Sequence, residues 1–149
     1  MEVILCDDLG WLLSEEAFSL YSLCMHQPAY EEYKLQMKRF DSDPFVKVFV
    51  CRQNDEAIGI MSLDRSDAVP EIVGIAVPER YRRQGIGRHM IQRIMDLERL
   101  DKIKAQTDDD AIGFYRQCGF ADEKVIKEYP DGQSVRYNCV LDIMKMKRL

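Results

Sequence analysis

The chain has 149 residues, 46% hydrophobic and 32% charged, the balance of one globular domain with a core of its own. Its formal net charge of −5 disfavours nucleic acid and anionic membranes as partners. The five cysteines, an odd number without CxxC spacing, argue against a disulfide framework or a zinc site, and no stretch nears the ~20 apolar residues of a membrane span.

The N-terminus lacks the basic start and apolar run of a signal peptide, so reduced thiols in a cytoplasmic protein are expected. Residues 3–6 read as a first strand. Asp7 or Asp8 can cap the helix that follows, and Leu12, Leu13, Phe18, Leu20, Leu23 and Cys24 carry its apolar positions to about residue 25. Pro28 ends it, and residues 29–39 read as a second, polar-faced helix. Asp41-Ser42-Asp43-Pro44 is a turn signal. Phe45 to Arg52 and Ala57 to Leu63 read as strands, joined as a hairpin through Asn54-Asp55. A polar loop spans 64–70, and residues 71–77 read as a largely buried strand. A long helix opens at Gly85, with Ile86, Met90, Ile94 and Leu97 along its apolar stripe. Lys102 to Thr107 alternate as a half-buried strand. Asp108, Asp109 and Asp110 sit at the start of the next helix, where negative charge suits the dipole. That helix runs to about Cys118, with Gly119 placed to end it. Strands near 121–129 and 134–141 form a last hairpin around Pro130-Asp131-Gly132. The order β-α-α-β-β-β-α-β-α-β-β describes a mixed sheet with helices on its faces.

The segment Val77-Pro78-Glu79-Arg80-Tyr81-Arg82-Arg83-Gln84-Gly85-Ile86-Gly87-Arg88 joins a buried strand to the start of the long helix. A helix start carries unpaired N–H groups and positive dipole, and so binds phosphate. Gly85 and Gly87 let an anion approach the backbone, and Arg82, Arg83 and Arg88 add charge-assisted hydrogen bonds. A nucleotide P-loop would need Gly-Lys-Ser/Thr, which is absent. The dinucleotide fingerprint would need a third glycine where Met90 stands. The alternative to a phosphate site is an ordinary strand–helix turn with a solvated basic face.

Arg82-x-x-Gly85-x-Gly87 resembles the R/Q-x-x-G-x-G/A motif of the GNAT acetyltransferases, in its usual place after the fourth strand. Phe114-Tyr115-Arg116-Gln117-Cys118-Gly119-Phe120 is similar to that family's apolar-Tyr-x-x-x-Gly-Phe segment. The element order matches across nearly the whole chain. The resemblance implies an α/β (mixed α+β) fold: one N-acetyltransferase domain over residues 1–149, with a central, mostly antiparallel sheet of about seven strands and four helices. It also implies that the fourth and fifth strands splay. Acetyl-CoA would enter that gap, its pantetheine pairing with Ile75, Ala76 and Val77 by strand addition. Its pyrophosphate would sit on the amides of Arg83, Gln84, Gly85, Ile86, Gly87 and Arg88. Asp108 takes the place beside the pantetheine where many relatives carry Asn.

An amine attacks a thioester only when neutral, and about one lysine-like amine in a thousand is neutral near pH 7.4. Glu71 is the candidate base; its spacing to Gly85 resembles that of the catalytic glutamate in the family's histone acetyltransferases. A surface glutamate at a strand start is the alternative. Asp64 and Asp67 could hold a cationic substrate. By resemblance the Val77 N–H is the oxyanion donor, and Tyr115 is the acid for the leaving thiolate. Proton transfer from a free phenol to a thiolate is uphill by roughly 2 kcal/mol, so a hydrogen bond states that role better. His26 and His89 lack metal-ligand spacing, and no metal is expected. Trp11 and Tyr21 read as core or cleft wall.

The expected function is N-acetylation of a small-molecule primary amine by direct attack in a ternary complex. Acetylation of a protein or peptide amine is the alternative within that class. A non-catalytic acyl-CoA sensor domain is the alternative outside it, and would need neither Glu71 nor Tyr115. Acetylation of aminoacyl-tRNA fits poorly with the acidic balance. A homodimer is compatible with the family.

Overall fold

The computed structural model describes residues 1–146. Seven strands form one sheet: β1 (Glu2–Leu5), β2 (Val46–Gln53), β3 (Glu56–Asp64), β4 (Glu71–Ala76), β5 (Lys102–Thr107), β6 (Ala121–Tyr129) and β7 (Gly132–Asp142). Their spatial order is β1-β2-β3-β4-β5-β7-β6, and every pair is antiparallel except β4–β5. The helices are α1 (Leu9–Leu12), α2 (Glu15–Tyr21), α3 (Tyr30–Ser42), α4 (Ile86–Glu98), α5 (Ile112–Gln117) and α6 (Ile143–Met146), with 3₁₀ turns at Ser22–Cys24 and Glu79–Tyr81. No helix among the described residues is long and apolar enough to cross a membrane.

The single helix expected up to residue 25 is broken in two. Asp8 caps α1 by accepting from the Trp11 N–H at 3.0 Å, and Ser14 caps α2 by accepting from Ala17 at 3.2 Å. A serine able to bond a nearby amide starts a new helix instead of continuing the old one. The second expected helix runs three residues past 39, to Ser42, where Asp43 turns extended and accepts from the Phe45 N–H. Leu97 does not belong to the core stripe of α4, since it is 42% exposed. The buried face of α4 is Ile86, Met90, Ile91, Ile94 and Met95. The three aspartates precede α5: Asp108 accepts from the N–H groups of Asp110 and Ala111, closing the turn before the helix. Asn54 and Asp55 both take positive φ, the geometry of a tight two-residue hairpin turn.

Two apolar clusters lie on opposite faces of the sheet. One joins α4 and α5 to Ile72, Ile103, Ala105, Cys139 and Leu141. The other packs α1, α2 and α3 onto Val48, Val50, Ile60 and Ala76. On this second face the helices cover the β2–β4 half. Over β5 and β7 the same face bears Lys104, Gln106, Asn138 and Val140, a half-open floor.

The middle of the sheet is interrupted. β4 pairs with β5 only through Glu71↔Lys104 and Ile72↔Ala105. One residue later β4 carries a bulge: Leu63 faces Ile72 and Ser62 faces Gly74, leaving Val73 as the extra residue. A bulge increases local twist and re-aims the side chains beyond it. Ile72 joins the α4–α5 cluster before the bulge and Ala76 the α1–α3 cluster after it. Past Ile72, β4 therefore leaves β5.

Candidate active site

The edge of β4 from Val73 to Ala76 has no strand on its β5 side. It leads through Val77 into the turn before α4. Here Arg83 has φ 65° and Gly85 φ 78°, with Gln84 between them. Alternating hand turns successive amides toward one concavity, an arrangement suited to an anion. None of the N–H groups of Arg83 to Arg88 bonds another group among the described residues, and Gly85 caps the helix without any side-chain bond. A Cβ built on Gly85 would meet nothing within 4 Å, so the concavity is open.

Gly87 serves another purpose than the one expected. A Cβ there would lie 2.7 Å from the Phe114 ring, so its bare Cα admits α5, and among the described residues its N–H remains unpaired. Arg82 folds back, its Nε donating to the Val77 carbonyl at 3.0 Å. Arg83 and Arg88 are exposed. The Gln84 side chain donates to the Arg80 carbonyl at 3.2 Å. Glu56, at the start of β3, holds the turn from outside by accepting from Arg80 and from the Tyr81 hydroxyl. The sequence offered no signal for that clasp, which joins residues 24 and 25 apart.

Tyr115 lies on the α4–α5 face at 7% exposure, stacked edge-on between Phe114 and Phe120. Its hydroxyl makes no hydrogen bond among the described residues. Burial pushes the phenol well above its ordinary value, and the neighbouring Cys139 and Cys24 thiols add to the shift. The Asp108 carboxylate is exposed and spent on its own turn, with Oδ1 3.1 Å from both amides.

Glu71 lies on the opposite face. Its register partner is Lys104, whose own partner on β7 is Val140. A cavity of about 350 Å³ is lined by Glu71, Lys104, Gln106, Asn138, Cys139 and Val140, with Ala105 in its floor. Glu71 has no ion pair or hydrogen bond among the described residues. Lys104 donates to Asp67 at 2.8 Å, and this bond raises its pKa. Asp64 is turned onto the Ser66 N–H at 2.8 Å. Glu71 and Tyr115 thus lie on opposite faces of the sheet, and β4 leaves β5 one residue past Glu71.

Tyr21, expected as core or cleft wall, packs against β4 beyond the bulge. A Cβ on Gly74 would lie 2.4 Å from the Tyr21 hydroxyl and 2.9 Å from the Cys24 Sγ. Tyr21 is 2% exposed and shares a 2.7 Å hydrogen bond with buried Ser62. Cys24 donates to the Tyr21 carbonyl at 3.2 Å. The one available signal was a glycine inside a strand, which marks a close approach. Among the described residues no group of His, Cys, Asp and Glu could hold a metal ion.

Comparison with known proteins agrees with this fold. The model of the acetyltransferase (GNAT) family matches residues 10–120. A chimera of the Vibrio cholerae spermidine N-acetyltransferase superposes with TM-score 0.76 at 17% identity, covering 100% of both chains. A ribosomal-protein-alanine N-acetyltransferase from Escherichia coli gives 0.69 at 18% identity over 95% of this chain and 93% of its own. An acetyltransferase of Bacillus anthracis, solved with acetyl coenzyme A, gives 0.59 at 19% identity over 70% of this chain and 66% of its own.

Proposed function

Because this chain belongs to the acetyltransferase (GNAT) family, we propose that it transfers the acetyl group of acetyl-CoA to the primary amine of a small molecule by direct attack. The observation that carries this reading is continuous: an unpaired strand edge runs from Val73 into six amides without acceptors, Arg83 to Arg88. A pantetheine arm carries peptide-like amides that can complete such an edge, and a diphosphate suits such a turn. The residues present therefore fit acetyl-CoA, which supplies the thioester.

In this reading Ile75, Ala76 and Val77 hold the pantetheine, and Arg83, Gln84, Gly85, Ile86, Gly87 and Arg88 hold the diphosphate through their main chain. Arg82 positions Val77 through its carbonyl. The Val77 N–H donates to the oxygen that gains charge as the amine adds. Glu71, with no protein partner, takes the amine proton directly or through water. Tyr115 keeps its proton because it is buried, and donates a hydrogen bond to the departing sulfur. A buried phenol is a poorer acid than a free one, which strengthens the hydrogen-bond assignment over full transfer. A sensor domain would have no use for the unspent carboxylate of Glu71 or the unspent hydroxyl of Tyr115.

A cavity of about 350 Å³ lies at the low end of small-ligand pockets, which supports a small acceptor over a polypeptide. Spermidine acetyltransferases among the similar structures agree with that choice, and the ribosomal-protein acetyltransferase stands for the alternative. The test is thiol release from acetyl-CoA against a panel of polyamines, amino acids, aminoglycosides and peptides, with calorimetry alongside. Acceptor-dependent release is expected, with loss of acetyl-CoA binding in Gly85→Glu, which puts a carboxylate in the concavity. Normal acetyl-CoA affinity in that variant would remove the anion site from the turn. Release with peptides alone would move the acceptor to the protein class.

A further inference from the structure

The floor beyond Glu71 carries a second unspent charge. Tyr137, Cys139 and Leu141 of β7 point into the α4–α5 cluster, so Arg136, Asn138 and Val140 point to the opposite face, the one that holds Glu71. Asn138 lies opposite Gln106, which donates to it at 3.0 Å, and both line the cavity. Arg136 is the next position along β7 on that face. It is half-buried, and among the described residues its guanidinium has no ion pair and no hydrogen bond.

The other charges of β5 and β7 on that face are matched. Lys104 is held by Asp67, and Lys102 lies 3.9 Å from Asp142. Among the described residues of β4, β5 and β7 that leaves one carboxylate, Glu71, and one guanidinium, Arg136, while on β6 the exposed Glu123 and Lys127 share the face, opposite Asn138 and Ser134, without ion pairs. The columns of Glu71 and Arg136 are separated by β5, roughly 10 Å at a strand spacing of ~4.8 Å, and Arg136 stands four residues beyond Val140, so the two Cα atoms lie roughly 16 Å apart. β7 runs antiparallel to β5, so Arg136 lies further along in the direction in which β4 advances from Glu71 toward Ile75. A half-buried guanidinium without a partner favours a planar anion that can accept two parallel hydrogen bonds. The amide pair of Gln106 and Asn138, between the two charges, offers further donors and acceptors to polar atoms of the same ligand.

We propose that Arg136 reads a carboxylate on the acceptor, so that the substrate of this site is a primary amine that carries its own carboxylate, an amino-acid-like zwitterion. This rests on the acetyltransferase reading above and narrows it. The surplus negative charge of the whole chain does not oppose it, because charges farther than ~10 Å are largely screened at cellular salt. Polyamines lack the group that Arg136 would pair with.

The experiment compares matched acceptors: free amino acids with their carboxamides, and lysine with cadaverine. The readout is the ratio of kcat/KM within each pair. The wild type is expected to favour the carboxylate member. Arg136→Gln should lower that ratio about ten- to a hundredfold, the worth of one charge-assisted hydrogen bond. Arg136→Lys should restore part of it, since a point charge keeps the attraction but not the paired geometry. A wild-type preference for the uncharged or decarboxylated members would overturn the proposal. So would an unchanged ratio in Arg136→Gln with its fold verified by circular dichroism. If acetyl-CoA binds by calorimetry but neither member of any pair is acetylated, this acceptor assignment fails while the coenzyme site stands. Absence of acetyl-CoA binding would bring down the transferase reading itself.

Discussion

Tyr115 keeps its hydroxyl proton because most of the ring is out of water, and among the described residues no acceptor competes for that proton. Raising a phenol's pKa widens the range over which it remains a donor. The sign is therefore fixed: with the folded value above the ordinary one near ~10, Tyr115 stays protonated through the whole mildly alkaline range. Activity should rise as the acceptor amine loses its proton and should not fall through Tyr115 ionisation below pH ~10. Tyr115→Phe should lower kcat about ten- to a hundredfold and leave the KM for acetyl-CoA within about twofold, the loss of one hydrogen bond to a charged group. An alkaline decline near pH 9 that disappears in Tyr115→Phe would contradict the buried, protonated phenol.

At the scale of elements, two glycines fix how neighbouring pieces meet. Gly87 brings α4 against Phe114, and Gly74 brings β4 against Tyr21 and Cys24. Gly87→Ala drives a methyl to 2.7 Å from a ring braced by Tyr115, and should destabilise the fold by about 1–3 kcal/mol. Chemical denaturation would show this as a lower midpoint at unchanged slope; an unchanged midpoint would mean that α5 yields freely. Most element positions were legible in the sequence. Lys102–Thr107 alternates cleanly, Asn54-Asp55 is turn chemistry, and Gly85 marks the start of α4. What escaped was decided by contacts distant along the chain. Ser14 could cap a helix or continue one, and only packing chooses. Leu97 fits the helical period, yet it faces water. The bulge at Val73 has no residue signature of its own, although it makes β4 leave β5 and so opens the site. Glu71 and Tyr115 are proposed from motif spacing. Gly74, Tyr21 and Arg136 were passed over because their significance depends on which face of the sheet they share.

In the whole molecule, the sheet is a partition between two apolar layers. The amides of the turn and Tyr115 belong with one layer, and Glu71, Lys104 and Arg136 open on the other side. Coenzyme and acceptor would thus approach from different directions and meet at the interruption. Changes on the β5–β7 floor can alter acceptor choice without disturbing α4 and α5. A ligand that fills the interruption binds the folded chain and not the unfolded one. At a hundredfold excess over its Kd it should add about 2.7 kcal/mol, or roughly 5–10 °C in Tm for a chain of this size. Differential scanning calorimetry with coenzyme A would test this, and an unmoved Tm would show that the gap binds nothing.

The departure of β4 from β5 has one more consequence. A row of backbone donors and acceptors without partners is a template for any stray polypeptide, and folds ordinarily shield such rows with charge, proline or a covering segment. Here the shield would be a metabolite. The protein should remain dispersed when coenzyme is plentiful and clump when it runs short, so that supply of the acyl carrier governs how long each molecule lasts as well as how fast it works.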